Sequence, residues 1–393
     1  MKIAFIHNEK KIGTGAHYIN DLISIKLKQR GITVKHFYPS TDLMDTPLQL
    51  KGLGNILFFY SLLEHRDQIL KCDLIQGTTY TPLTYLSYAI PVISHFGSTT
   101  EGFLKAVPLA YKVNSTTREF WYDLQRNDVL KEVNLKTRRP LRDISEIEKL
   151  VATRSNKVIA TSRNVAAELR RFSVKEKNLS VIHNAIEDYW FENTYRKPQG
   201  KPTLVFLGRI GNDSFNLKLK GVDRLFYWYN HFPQISKITI GITTNEKLSE
   251  YFNMHLQNHE MLANAQKHVI PGILNQLSGS IVFISSRYEG FSLSLVEAMS
   301  QGLIPITYPV GVAPEIIENG TNGFIVKSQR EVFKYTKMLL NDPLLRKQMS
   351  FRAYQTSQQF RADDMVEKFI KLYKETIENK NKWWNFNLSL KKY

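Results

Sequence analysis

Short apolar segments alternate with amphipathic ones twice over in this chain, and a polar, breaker-rich stretch at 191–202 separates the two runs. In the first run residues 3–6, 33–37, 73–76, 91–94, 158–160 and 179–182 read as strands. In the second, residues 203–207, 237–240, 281–284, 304–307 and 324–326 do. Helical patterns lie between them, for example 18–29, stopped by Gly31 as a C-terminal cap. Strand and helix alternation of this kind implies parallel sheets with helices on both faces. The expectation is an α/β chain of two doubly wound domains, residues 1–195 and 203–361, joined by the 191–202 linker.

At 393 residues the chain is long enough for two domains that each bury a core. Hydrophobic residues at 42% and aromatics at 12% exclude a disordered protein. The only cysteine, Cys72, rules out an intramolecular disulfide and fits a reducing compartment. The first residues read as a strand, being too short for a secretory leader, and no apolar stretch approaches the roughly 18 residues of a membrane span. A net charge of +17 points to an anionic partner: nucleic acid, anionic lipid or nucleotide phosphate. No recognisable nucleic-acid-binding module is present, so nucleic acid is not expected. Basic residues are dense at 131–142, and the tail sets Trp383 and Trp384 among Lys380, Lys382, Lys391 and Lys392. Two readings of that tail stand: an interfacial segment on an anionic membrane surface, or a terminal helix packed on the body.

The chemistry concentrates between residues 283 and 323. Glu289 and Glu297 flank an expected helix start, with Ser292 or Ser294 able to cap a helix carrying Leu295, Val296, Ala298 and Met299. A strand leading through a loop into a helix offers free backbone N–H groups and a positive dipole end, which suits a phosphate. Carboxylates beside it can hold sugar hydroxyls. The alternative for Glu297 is a capping box with Ser294, in which it satisfies only the cap residue's N–H.

Two acids separated by seven residues, then Gly311-Val312-Ala313-Pro314-Glu315, then Asn319-Gly320-Thr321-Asn322-Gly323, form an ordered set over about forty residues. This set resembles the signature of the retaining glycosyltransferases of family 4, whose two doubly wound domains facing a cleft make the GT-B fold. The resemblance implies that residues 362–393 return to pack on the first domain. It implies retaining transfer of a hexose-type sugar from a nucleotide-diphospho-sugar, UDP-linked, to an acceptor hydroxyl on a glycan, lipid-linked molecule or protein. The setting implied is cell-envelope polysaccharide, lipopolysaccharide or glycolipid synthesis, in the cytoplasm or peripherally on the inner face of the cell membrane.

Residue roles follow from the same resemblance. Arg209, after Gly208, and Lys220, before Gly221, fall on the family's diphosphate-binding Arg and Lys. The spacer 210–219 is longer than usual and contains a competing cation, Lys218. Glu297 takes the ribose hydroxyls and Glu289 the transferred sugar. Gly290 and Phe291 allow close approach of the chain, and Ser292, Leu293 and Ser294 add backbone donors. His95 matches a histidine near the reaction centre, and Gly13-Thr14-Gly15 matches a glycine-bearing loop after the first strand. His183-Asn184-Ala185 replaces a Pro-Asn-Gly turn, and Gly241 is the one glycine left of a Gly-x-Gly near the base. No Asp-x-Asp and no metal-ligand spacing is present, so metal-independent catalysis without a further cofactor is expected, the two cations supplying the charge. Other assignments stay open: a non-catalytic nucleotide-sugar-binding partner protein, a protein glycosyltransferase, and an epimerase or phosphorylase on the same scaffold.

Overall fold

A computed structural model describes residues 1–9, 15–40, 54–134, 138–211, 213–241 and 245–390, with side chains described except at 15, 16, 138, 139 and 380–390. The chain divides into two compact units. One comprises Met1–Thr100, Pro140–Ala185 and Arg361–Tyr393; the other comprises Glu101–Arg139 and Ile186–Phe360.

The first unit holds β1 (Lys2–Ile6), β2 (Thr33–Phe37), β3 (Leu74–Thr78), β4 (Val92–Phe96), β5 (Lys157–Ala160) and β6 (Leu179–Val181). All pair in parallel, in the order β2-β1-β3-β4-β5-β6. Ile3, Ala4, Phe5 and Ile6 of β1 are all buried, as a strand covered on both faces requires. Two strands run further than the sequence indicates. β3 reaches Thr78 and β4 reaches Phe96, because Thr78 pairs with His95 and Phe96 with Ala160. His95 therefore lies inside β4 and not beyond its end.

The terminal helix Ala362–Leu390 packs within this unit beside the helix Gly15–Gln29. Asp363 accepts from Lys26 Nζ at 3.1 Å and from Arg30 at 2.9 Å, and Glu367 accepts from Arg30 Nε at 2.5 Å. Hydrogen bonds from Arg30 and Lys26 hold the Asp363 carboxyl below the usual range. Beneath the helix, Tyr373 Oη donates to Gln76 Oε1 at 2.6 Å, and Phe369 lies edge-on to His95. Both Tyr373 and Gln76 are buried.

The second unit holds β7 (Leu204–Leu207), β8 (Lys237–Gly241), β9 (His259–Ala263), β10 (Ile281–Ile284), β11 (Ile304–Thr307) and β12 (Phe324–Ile325). These also pair in parallel, in the order β12-β11-β10-β7-β8-β9. β9 is absent from the sequence expectation. It is a half-exposed edge strand without a β-branched residue, so neither propensity nor a continuous apolar run marks it.

Two boundaries also differ. Residues 101–134 pack in the second unit and not in the first, with the Phe120 ring tilted against Phe226 and Tyr227 and edge-on to Tyr251. The chain enters the second unit at Ile186, so the stretch 191–202 expected to join the two domains lies within that unit. Trp190 is fully buried with its carbonyl accepting from Gln301 Nε2 at 2.6 Å, and Ser278 Oγ donates to Arg196 O at 2.6 Å. Among the described residues no helix is long and apolar enough to cross a membrane.

Tyr373→Phe leaves the buried Gln76 Oε1 without its donor and is expected to lower stability by about 1–3 kcal/mol. An unchanged urea midpoint would show that the terminal helix is not held by this bond.

Candidate functional site

In the second sheet β7 sits between β8 and β10, so the chain leaves β7 in one direction and later returns on its other side. Doubly wound sheets bind ligands at such a switch point, outside the carboxyl ends of the strands. Gly208 and Arg209 follow β7 there, and residues 285–292 follow β10. Arg209 is exposed and makes no ion pair with any described residue.

Lys220 reaches the same place through a local device. Asp213 caps the helix Ser214–Leu219 by accepting from Asn216 N at 2.8 Å, and Lys220 follows that helix directly. Gly221 then takes φ 63°, and a Cβ there would overlap the Ser285 carbonyl oxygen. Only glycine satisfies both demands. The backbone so pressed onto the β10 loop is tied by Ser285 Oγ, which donates to Lys220 O at 2.7 Å. Lys220 Nζ then donates to Glu289 Oε1 at 2.6 Å, and Ser286 Oγ to the same oxygen at 2.7 Å.

Two further residues fix this arrangement. Arg287 forks onto Asp223 at 2.7 and 2.6 Å and donates to Lys218 O at 2.8 Å. No local spacing signals this pair, which joins residues 64 positions apart. Lys218, the competing cation, is 1% exposed. Its Nζ donates to Pro108 O at 3.2 Å and lies 5.7 Å from the Trp121 ring centre. Of the two lysines, Lys220 is therefore the one placed beside Glu289.

The acid-bearing loop leans on the Gly-Val-Ala-Pro-Glu turn. Gly311 takes φ 56°, where a Cβ would overlap the Phe291 carbonyl oxygen, and Val312 N donates to that oxygen at 2.8 Å. The Asn-Gly-Thr-Asn-Gly turn is held by its two asparagines, and Asn322 Nδ2 also reaches Thr356 Oγ1 at 2.9 Å. Asn322 bonds Glu318 N and Ile316 O at 2.8 Å each, and Asn319 Oδ1 accepts from Ile325 N at 2.6 Å.

Ser292 stands at the start of the helix Leu293–Ser300 with φ 80° and ψ 72°, a left-handed conformation rare for a residue with a side chain. Its hydroxyl makes no cap bond, is buried and has no partner. The first-turn amides of Leu293 and Ser294 have no acceptor within a helix of this register. Gly290 and Phe291 are buried immediately before it. An unpartnered hydroxyl, free amides and a positive dipole end converge on one spot, and together they suit an anion.

The helix starts at Leu293, so Ser294 is not its cap and the capping box does not form. Glu297 instead faces Lys267 Nζ at 3.4 Å, and Lys267 also bonds Glu187 at 2.5 Å. Burial pushes the Glu297 carboxyl up to about 7, against the attraction of Lys267 and with repulsion from Glu187. The two acids keep the Lys267 ammonium above its usual range despite desolvation. Sequence spacing signals neither Lys267 nor Glu187.

In the first unit, burial pushes His95 down to about 4, and its Nε2 has no hydrogen-bond partner. The ring is 6% exposed, beneath Phe369. Gly15 begins the helix Gly15–Gln29, while Gly13 and Thr14 lie outside the described residues. Asn184 Oδ1 is buried without a partner, next to Ala185 where the first unit ends. Gly241 ends β8, and 242–244 lie outside the described residues, as do 136 and 137 of the basic run.

Because folded Glu297 holds its proton more tightly than the unfolded chain does, it removes stability as pH rises from about 4.5 to about 7. Glu297→Gln should therefore gain on the wild type in Tm between about pH 5 and about pH 8. A difference in Tm independent of pH would contradict the raised carboxyl.

Residues 191–356 match the family described as Glycosyl transferases group 1, and residues 25–188 match Glycosyltransferase Family 4. An uncharacterized glycosyltransferase of Methanocaldococcus jannaschii is 26% identical over 217 residues, covering 51% of this chain and 53% of its own length. An uncharacterized 41.2 kDa protein in the cps region of Klebsiella pneumoniae is 23% identical over 239 residues, 58% of this chain and 64% of its own. The chain thus spans about half the length of the first and less than two-thirds of the second. Among solved structures, sucrose-phosphate synthase from Thermosynechococcus elongatus superposes with a TM-score of 0.73 at 15% identity, covering 96% of this chain and 99% of that one. Anabaena HepE in complex with UDP-glucose gives 0.65 at 16% identity, covering 95% and 100%. WaaG, a glycosyltransferase involved in lipopolysaccharide biosynthesis, gives 0.67 at 13% identity, covering 94% and 99%. What these proteins share with the chain is the fold.

Proposed function

We infer, from a chain that belongs to the family-4 glycosyltransferases of the GT-B fold, that it moves a hexose-type sugar from a nucleotide-diphospho-sugar to an acceptor hydroxyl, retaining the configuration at the anomeric carbon. The observation that carries this is Ser292: a buried hydroxyl without a partner, held left-handed at a helix N-terminus beside the Lys220–Glu289 pair. Strained backbone and an unsatisfied buried polar group are kept where a ligand completes them.

The roles follow from the charges. When the sugar leaves, negative charge grows on the departing diphosphate, and stabilising it is the largest electrostatic demand of the reaction. Arg209 offers an exposed planar fork and Lys220 a mobile ammonium; Ser292 and the amides of Leu293 and Ser294 add neutral donors. Glu289, already accepting from Lys220 and Ser286, has capacity left for a sugar hydroxyl. Glu297 takes ribose hydroxyls as a carboxylate, with Lys267 helping to keep its charge. The acceptor hydroxyl attacks on the face that the diphosphate leaves.

Support for a UDP-linked donor comes from the complex of Anabaena HepE with UDP-glucose. Support for a cell-envelope acceptor comes from WaaG, a glycosyltransferase involved in lipopolysaccharide biosynthesis. The net charge of +17 agrees with work at the anionic inner face of the cell membrane.

Incubation with a panel of nucleotide sugars tests the activity, and release of nucleoside diphosphate with a retained anomer is the expected result. Arg209→Ala should cost about 10²-fold or more in turnover; full retention of rate would remove Arg209 from the mechanism. Since side-chain cations supply the charge, enzyme treated with EDTA should keep its rate. Loss of activity restored by a divalent ion would overturn that assignment.

A further inference from the structure

The segment 101–134 matches no part of the site described above, yet its contacts are not spread evenly over the second unit. The helix Thr100–Ala106 sets Gly102 and Phe103 against Tyr288, the residue before Glu289. A Cβ on Gly102 would overlap the Tyr288 ring. The Phe103 ring meets Tyr288 edge-on with centres 5.0 Å apart, and meets Phe215 at 5.8 Å. Phe215 belongs to the helix Ser214–Leu219 that delivers Lys220.

The next helix, Ser115–Arg126, supplies Trp121, whose ring lies under Lys218 while Pro108 O accepts the Lys218 ammonium. Past that helix, Val129 O accepts from Asn245 Nδ2 at 3.0 Å, and Asn245 caps the helix Glu246–His255 that follows β8. Three anchor points thus fall on the segments following β7, β8 and β10. Those are the segments at the carboxyl ends of the strands, where a doubly wound sheet binds its ligand. Other contacts, among them Tyr227 Oη to Thr116 O at 2.9 Å, Tyr251 Oη to Asp123 at 2.6 Å and Phe120 against Phe226, fasten the segment to the helices behind.

We propose that residues 101–134 are a positioning element of the donor site, which sets Glu289 through the packing of Gly102 and Phe103 on Tyr288 and sets Lys220 through the burial of Lys218. The inference rests on the assignment of that site to a nucleotide-diphospho-sugar. None of Gly102, Phe103, Trp121 or Lys218 touches substrate; they act through the residues beside the acid and the lysine. Lys218 is the clearest sign, because a fully enclosed ammonium over an indole is spent on holding its own helix in place. Tyr288 is the lever nearest the chemistry, being the residue immediately before Glu289.

Gly102→Ala separates positioning from general stability. Alanine favours the helix, yet its methyl must move the Tyr288 ring. Phe103→Ala, which removes the ring that meets Tyr288 edge-on, is the second variant. Amide hydrogen exchange across 286–293 in the ligand-free protein is expected to quicken about five-fold or more in both, with Tm within a few degrees of wild type for Gly102→Ala. With the donor found by the panel, kcat/KM should fall about ten-fold or more, through kcat and not KM, and Phe103→Leu should recover part of it. Unchanged exchange and kcat in both variants would overturn the proposal. If wild type turns over no donor, the assignment of the site fails, while hydrogen exchange, which needs no substrate, still decides whether the segment positions the loop.

Discussion

A lysine and a glutamate from segments 69 positions apart meet at 2.6 Å, and the local structure around them makes sense as the means of bringing them there. Gly221 lets the lysine's backbone lie against the carbonyl of Ser285, and the Ser285 hydroxyl then ties that backbone down. The Arg287–Asp223 fork crosses the same two segments once more. An ion pair of this partly buried kind adds little net stability, because desolvating both charges offsets their attraction. Three reinforcing devices around so weak a stabiliser point to a site selected for its charges.

Two departures from ordinary packing fall on the loop and helix that follow β10. Ser292 holds a left-handed conformation, which costs on the order of 1–3 kcal/mol, and leaves a buried hydroxyl without a partner. Glu297 is buried close to a second acid, Glu187, with Lys267 between them. Such strain persists only where the surroundings over-determine it, and here the Gly311 turn does so from behind. A chain built for stability alone would have held Ser292 extended, with its hydroxyl capping the first turn, and placed an apolar residue at 297.

Much of this was legible from residue order, and the parts that were not share a physical cause. Continuous apolar runs mark strands buried on both faces, so eleven of the twelve described strands sit within a residue or two of their expected places, and Thr78 and Phe96 extend β3 and β4 only through pairing. Glu289, Ser292 and the helix after them were visible because loop and helix start are contiguous in sequence. β9 was not, since an edge strand need not be apolar. Spacing alone left Lys218 and Lys220 in competition; Trp121 and Pro108, about a hundred residues away, decide between them. The packing of residues 101–134 within the second unit depends in the same way on rings such as Phe120 and Phe226 that no local pattern connects.

The central claim is that a diphosphate completes the spot formed by Ser292, Lys220 and the amides of Leu293 and Ser294. A crystal structure of the protein with bound UDP tests it most directly. The account predicts phosphate oxygens within hydrogen-bond reach of Ser292 Oγ and Lys220 Nζ. A nucleotide seated elsewhere, with the Ser292 hydroxyl still unpartnered, would contradict it.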